Sequence, residues 1–192
     1  VGTERRKKVI RYRMPDDRKR SLAAGLIIRK ILNENGLSED SLKYSENGKP
    51  LADNLFFNIS HAGDYVVGVS SDREVGCDIE KIVDAPLEVT DRFFHLKEAE
   101  YIKSAEDKNR AFFTLWTLKE RGMNLPLDSF EVVPMTDGFM LGESAEKPCF
   151  FKTMEFDGYI FSVSNETDFA ITQNDFLDID IMSASEPAYL QD

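Results

Sequence analysis

Asp78 and Glu80 alternate with apolar residues in the segment Val75-Gly76-Cys77-Asp78-Ile79-Glu80. On a strand, successive side chains point to opposite faces, so Val75, Cys77 and Ile79 enter the core and the two carboxylates emerge together on the other side. Their Cα atoms then lie roughly 6–7 Å apart, and at an effective dielectric near 20 the charges repel by roughly 2–3 kcal/mol. A hard divalent cation relieves that repulsion. Oxygen donors with no His or Cys cluster nearby suit magnesium or manganese, which keep positions open for water and phosphate. Taken alone, Asp-x-Glu also fits an exposed acidic strand face balanced by lysines such as Lys81. A third carboxylate favours the metal: Phe112, Leu115, Trp116 and Lys119 recur at helical spacing, and Glu120 follows Trp116 by one turn on that stripe, where no solvated residue is expected. A helix crossing the strand would bring all three acids to one ion.

Ser60 and His61, in Asn58-Ile59-Ser60-His61, close an apolar run and could bind a phosphate through hydroxyl, imidazole and nearby N–H groups, or simply stabilise a turn. Gly48-Lys49-Pro50 either exposes a lysine on a turn or holds it rigidly toward an anion. The first twenty residues carry nine basic side chains against three acidic ones, in a chain whose net charge is −11. Such an arm suits phosphates or an acidic protein partner, and equally a solvated helix face. An acidic remainder without interleaved aromatic and basic residues argues against a dedicated nucleic-acid binder. No Gly-rich phosphate loop, G-x-S-x-G elbow or Cys-His nucleophile pair is present, which removes the commonest NTPase and hydrolase readings.

The elements that position these groups repeat in order. Residues 18–35 form a helical stripe through Leu22, Ala23, Leu26, Ile27, Ile31 and Leu32, with Gly36 as its stop. Three apolar runs follow at 55–60, 65–71 and 75–82, split by Gly63-Asp64 and Asp72-Arg73, as in an antiparallel meander. Helical periodicity returns over 87–104 and 108–119, before strand candidates at 128–133, 148–157, 158–164 and 168–174, with Asp137-Gly138 and Asp157-Gly158 as turns. The expectation is an α+β protein of two pseudo-twofold-related lobes, each a helix plus a three-stranded antiparallel meander, divided at 1–86 and 87–192.

With 192 residues, 42% hydrophobic and 31% charged, the chain can bury an ordinary core, and no apolar run approaches the ~20 residues of a spanning helix. Two cysteines are too few for a disulfide scaffold or a thiolate zinc site, so a reducing cytoplasm is expected.

Together, GKP at 48–50, FNISHAGDYVV at 57–67, VGCDIE at 75–80, RFF at 92–94, LWTLKE at 115–120 and LPLDSFEV at 125–132 resemble a phosphopantetheinyl transferase of the Sfp type, over nearly the whole chain. Each motif is weak singly; in this order they are specific. The resemblance implies that Asp78, Glu80 and Glu120 bind magnesium, with Asp78 and Glu120 catalytic and Glu120 the general base. It implies that Ser60 and His61 contact the 3′-phosphate region of coenzyme A, that Lys49 is its Gly-Lys-Pro lysine, and that Arg5, Lys8, Arg20 and Ser21 supply N-terminal phosphate contacts. The implied reaction transfers the 4′-phosphopantetheine arm of coenzyme A to a serine of an apo acyl or peptidyl carrier protein, releasing adenosine 3′,5′-bisphosphate. The implied partner is that carrier, docking on basic and apolar residues near the lobe interface, and the implied state is a monomer, with no nucleic acid or membrane involved.

The pattern departs after Glu120. The family's helix continues one or two turns and supplies a lysine four residues on; here position 124 is Asn. A segment omitted between Glu120 and Arg121 is favoured over true loss, because a helix cut directly after a buried-face glutamate would fix it poorly. Intact mass distinguishes the two. A non-catalytic coenzyme A binder and another magnesium-dependent phosphoryl enzyme stay open as alternatives.

Overall fold

A computed structural model of the chain describes residues 3–46, 48–120, 131–135, 138–141 and 149–169. The basic N-terminal arm is a helix, α1 (Thr3–Arg11), which a short reversal folds back onto α2 (Pro15–Glu34). Pro15 starts α2 with its ring-fixed φ, and Asp16 and Asp17 lie in the first turn, where negative charge favours the helix N-terminus. Gly36, at φ +70°, follows the helix as the sequence predicts.

A short pair, β1 (Lys43–Tyr44) with β2 (Pro50–Leu51), precedes a hairpin of β3 (Phe56–Ala62) and β4 (Tyr65–Ser71). Next come β5 (Val75–Lys81), the helices α3 (Thr90–Phe93), α4 (Leu96–Ser104) and α5 (Lys108–Glu120), and the strands β6 (Val132–Met135), β7 (Gly138–Leu141), β8 (Phe150–Phe156) and β9 (Tyr159–Asn165). Asp157 and Gly158 both adopt positive φ, the primed turn that an Asp-Gly pair between strands predicts.

The α+β architecture stands, and one strand changes partner. The run at 75–82 does not complete a three-stranded meander with the first two; β5 forms its ladder with β9, in a five-stranded sheet ordered β5-β9-β8-β7-β6. The reason lies in the apolar face of β5. Val75, Cys77 and Ile79 pack with Tyr159, Phe161 and Val163 of β9, and the hairpin adds Val67 and Val69 from outside the ladder. The helix expected over 87–104 is also broken: Phe94 and His95 are extended, and His95 with Glu98 forms a capping box that restarts the chain as α4. Of the strand candidate at 128–133, residues 128–130 lie outside the described residues and Val132 and Val133 lie in β6; residues 148 and 170–174 and Asp137 of the other strand and turn expectations also lie outside them.

One core layer lies between α4, α5 and the sheet, around Phe112, Leu115, Leu118, Ile102 and Ile160, and another between α2 and β3. No described helix is long and apolar enough to cross a membrane. The β3–β4 turn ties these parts together. Gly63, at φ +51°, gives its carbonyl to Arg20 Nη1 of α2 at 2.9 Å, and a β-carbon there would stand 2.1 Å from the Tyr159 hydroxyl of β9. Gly63→Ala therefore meets both an unfavourable backbone region and a clash, and is expected to lower unfolding free energy by roughly 2–4 kcal/mol in urea denaturation.

Candidate active site

The ladder register places the acids. Residues directly opposite on antiparallel strands share a face; Asp78 opposes Ser162 and Glu80 opposes Ile160, both on the side of β9 that α5 covers. Thr117 of α5 and Ser162 meet hydroxyl to hydroxyl at 2.6 Å beneath this crossing. Val75, Cys77 and Ile79 are buried on the opposite face, as the alternation predicts. Glu120 closes the helix that packs across β5.

Asp78 is largely buried. Its Oδ1 accepts a hydrogen bond from Ser60 Oγ at 2.5 Å, while its Oδ2 is buried with no hydrogen-bond partner among the described residues. Burial first, and then the charges of Glu80 and Glu120, push the Asp78 carboxyl up to about 7, against the lowering effect of the Ser60 hydroxyl. Glu80 is raised by burial and by Glu120. The three carboxylates therefore feel one another. They are not yet gathered: among the described residues, no three of His, Cys, Asp and Glu are spaced to hold a metal ion. Hard oxygen donors, one of them an orphaned buried carboxylate oxygen, fit a hard divalent cation, provided the exposed Glu120 side chain moves inward.

The position of Glu120 corrects the sequence reading. It is exposed and does not lie on a buried stripe. Trp116, one turn earlier, is itself only partly buried at the rim of the apolar face, and Glu120 follows it there. The buried charge of this turn is Lys119, 3% exposed, paired with the fully buried Glu98. Sequence reasoning missed Glu98. The signal available was His-x-x-Glu at 95–98, a capping-box spacing in front of a helix.

On the other side of β3 lies a cleft of about 540 Å³ lined by Arg5, Arg20, Ser21, Lys49 and His61 among others. These are five of the seven residues expected to bind the phosphates. Lys8 lies in α1, and its side chain falls outside the described residues. Ser60 is separated from His61 by strand alternation: His61 lines the cleft and Ser60 turns to Asp78. Arg20 is held in place, with Nη2 on Asp17 Oδ1 at 2.7 Å and Nη1 on the Gly63 carbonyl. Ser21 Oγ is buried without a hydrogen-bond partner among the described residues, a donor and acceptor left for a ligand. Tyr12, Ile28, Pro50, Phe57 and Ile59 give the cleft an apolar wall, and Asn58 also lines it. Cations beside an apolar wall suit a ligand with both phosphates and a heteroaromatic ring.

The raised carboxyl of Asp78 has a consequence for stability. The folded chain holds this proton more tightly than the unfolded chain, so ionising the group opposes folding. The penalty is absent below about pH 3.8 and grows until the pH passes about 7. In EDTA, Tm of the wild type relative to Asp78→Asn should fall across that interval; parallel curves would contradict the placement of Asp78.

Comparison with known proteins shows the family. A family model described as 4'-phosphopantetheinyl transferase, N-terminal, matches residues 1–73, and one described as 4'-phosphopantetheinyl transferase superfamily matches 74–172. The chain is 35% identical to the 4'-phosphopantetheinyl transferase ffp of Bacillus subtilis over 181 positions, covering 85% of this chain and 81% of that protein. It is 33% identical to 4'-phosphopantetheinyl transferase Sfp of Bacillus subtilis (strain 168), with the same coverage. It is 29% identical to the L-aminoadipate-semialdehyde dehydrogenase-phosphopantetheinyl transferase of Mus musculus, over 61% of this chain and 42% of that one. The 181 positions aligned with ffp exceed the stretch of this chain that they cover, so that relative carries residues absent here.

Proposed function

The chain belongs to the 4'-phosphopantetheinyl transferase superfamily, and on that footing we propose that Asp78, Glu80 and Glu120 bind magnesium beside a coenzyme A cleft formed by Arg5, Arg20, Ser21, Lys49 and His61. It is a transferase that moves the 4'-phosphopantetheine of coenzyme A to a carrier protein. The observation that carries the metal reading is the orphaned Oδ2 of Asp78, in a carboxyl whose ionisation Glu80 and Glu120 oppose.

Arg5, Arg20 and Lys49 neutralise the phosphates, and the Phe57 and Ile59 side lies against the base. Ser60 holds Asp78 by one oxygen and leaves the other for the cation. An ion held by Asp78, Glu80 and Glu120 would supply positive charge to offset that of the pyrophosphate. Glu120, exposed at the end of α5, takes the proton of the carrier serine hydroxyl. The serine oxygen then bonds to the β-phosphorus, the bond from that phosphorus to the bridging oxygen breaks, and adenosine 3′,5′-bisphosphate leaves. Manganese has the ligand preferences to substitute. A monomer in the cytoplasm suits this reading, since one chain builds the whole site.

The test is incubation of an apo carrier protein with coenzyme A, magnesium and the purified protein. The expected result is a carrier mass increased by one phosphopantetheine arm, abolished by EDTA. Binding of coenzyme A with no gain of carrier mass under any divalent metal would overturn the transferase reading and favour a binding-only relative.

A further inference from the structure

Glu98, on α4, is completely buried, on a helix whose Ala99 and Ile102 belong to the apolar core. It accepts hydrogen bonds from three donors, on α5, on β6 and in the link before α4. Lys119 Nζ lies 3.0 Å from each carboxylate oxygen, the Val132 amide donates to Oε1 at 2.6 Å, and the His95 amide donates to Oε2 at 2.8 Å. Lys119 immediately precedes Glu120, the last residue of α5, and Val132 opens β6. One carboxylate thus grips the chain on both sides of residues 121–130. Stability alone does not call for an ion pair here, since well-packed apolar residues commonly do as well or better in such a place. What the pair adds is a fixed distance and direction between α4, the final turn of α5 and the edge of the sheet.

We propose that Glu98 is a positioning residue for the transfer reaction: by holding Lys119 and Val132 it fixes the last turn of α5, and with it the direction from which the Glu120 carboxylate meets the incoming serine. The inference rests on the role of Glu120 set out above. Glu98 touches neither substrate nor reacting atoms; it acts through Lys119 and the backbone.

The experiment compares wild type, Glu98→Asp and the charge-free pair Glu98→Gln with Lys119→Met for Tm, kcat and KM for coenzyme A. The double variant is expected to keep a Tm near that of the wild type and a KM within about twofold, while kcat falls roughly 10- to 100-fold, the scale for a misplaced reacting group. Glu98→Asp, which keeps the charge on a shorter stem, should fall between them. A double variant with wild-type Tm and wild-type kcat would overturn the proposal. Hydrogen exchange on the wild type decides independently of whether either variant folds. Amides 117–120 should exchange only through global unfolding, and exchange by local fraying would also overturn it. If the wild type fails to modify any carrier, it is the functional reading that fails, and the exchange result still reports on the clamp.

Discussion

Glu120→Gln is expected to lower kcat by roughly 100- to 10,000-fold, the range for losing a positioned general base, while KM for coenzyme A changes little. Glutamine keeps the size of the side chain and loses both the proton-accepting charge and the ligand charge. The cleft residues Arg5, Arg20 and Lys49 are untouched by the substitution, so binding of the phosphates survives. The pH profile separates the two jobs of the glutamate. If proton acceptance dominates, residual activity loses its dependence on the acid limb; if metal binding dominates, raising magnesium restores activity. A variant within about threefold of wild-type kcat would remove Glu120 from the mechanism. Lys49→Ala offers the contrast, since it should raise KM and leave kcat largely intact.

The largest effect on stability is expected at the other carboxylate of this region. Glu98→Ala leaves the Lys119 ammonium, 3% exposed, without its buried counter-ion and the Val132 and His95 amides without their acceptor. Breaking a buried pair from one side costs about 3–5 kcal/mol, so Tm should fall by about 10 °C or more. Adding Lys119→Met should recover part of that loss, because the ammonium that Glu98 paired leaves with the lysine. The double-mutant cycle measures this directly, and two additive single effects would show that the pair is not coupled.

These two glutamates also mark how far the sequence could be read. Alternation along Val75–Glu80 gave the correct faces for Cys77, Asp78, Ile79 and Glu80, because a two-residue period with apolar residues on one side has one solution. The cleft was legible through the family resemblance: the residues alone left Lys49, Ser60, His61 and the basic arm open between phosphate binding and turn or surface roles, and five of the seven that the resemblance named meet around one cavity. The ladder partner of β5 was not legible, since an apolar strand face does not say which strand it joins; its partners on β9 lie 78 to 90 residues further along the chain. The exchange of places between Lys119 and Glu120 was invisible as well. Helical period put both near the stripe, and what draws Lys119 inward is Glu98, on another helix. Ser60 and His61 were read as one phosphate-binding pair, whereas the structure turns them to opposite faces of β3, Ser60 to Asp78 and His61 to the cleft.

The central claim is that Asp78, Glu80 and Glu120, which repel one another when ionised, come together around one divalent cation once coenzyme A occupies the cleft. Calorimetric titration of magnesium into the protein saturated with coenzyme A tests it most directly. One ion per chain is expected for the wild type, with clearly weakened binding in Asp78→Asn and in Glu120→Gln. A flat titration of the wild type, or equal affinity in all three proteins, would contradict it.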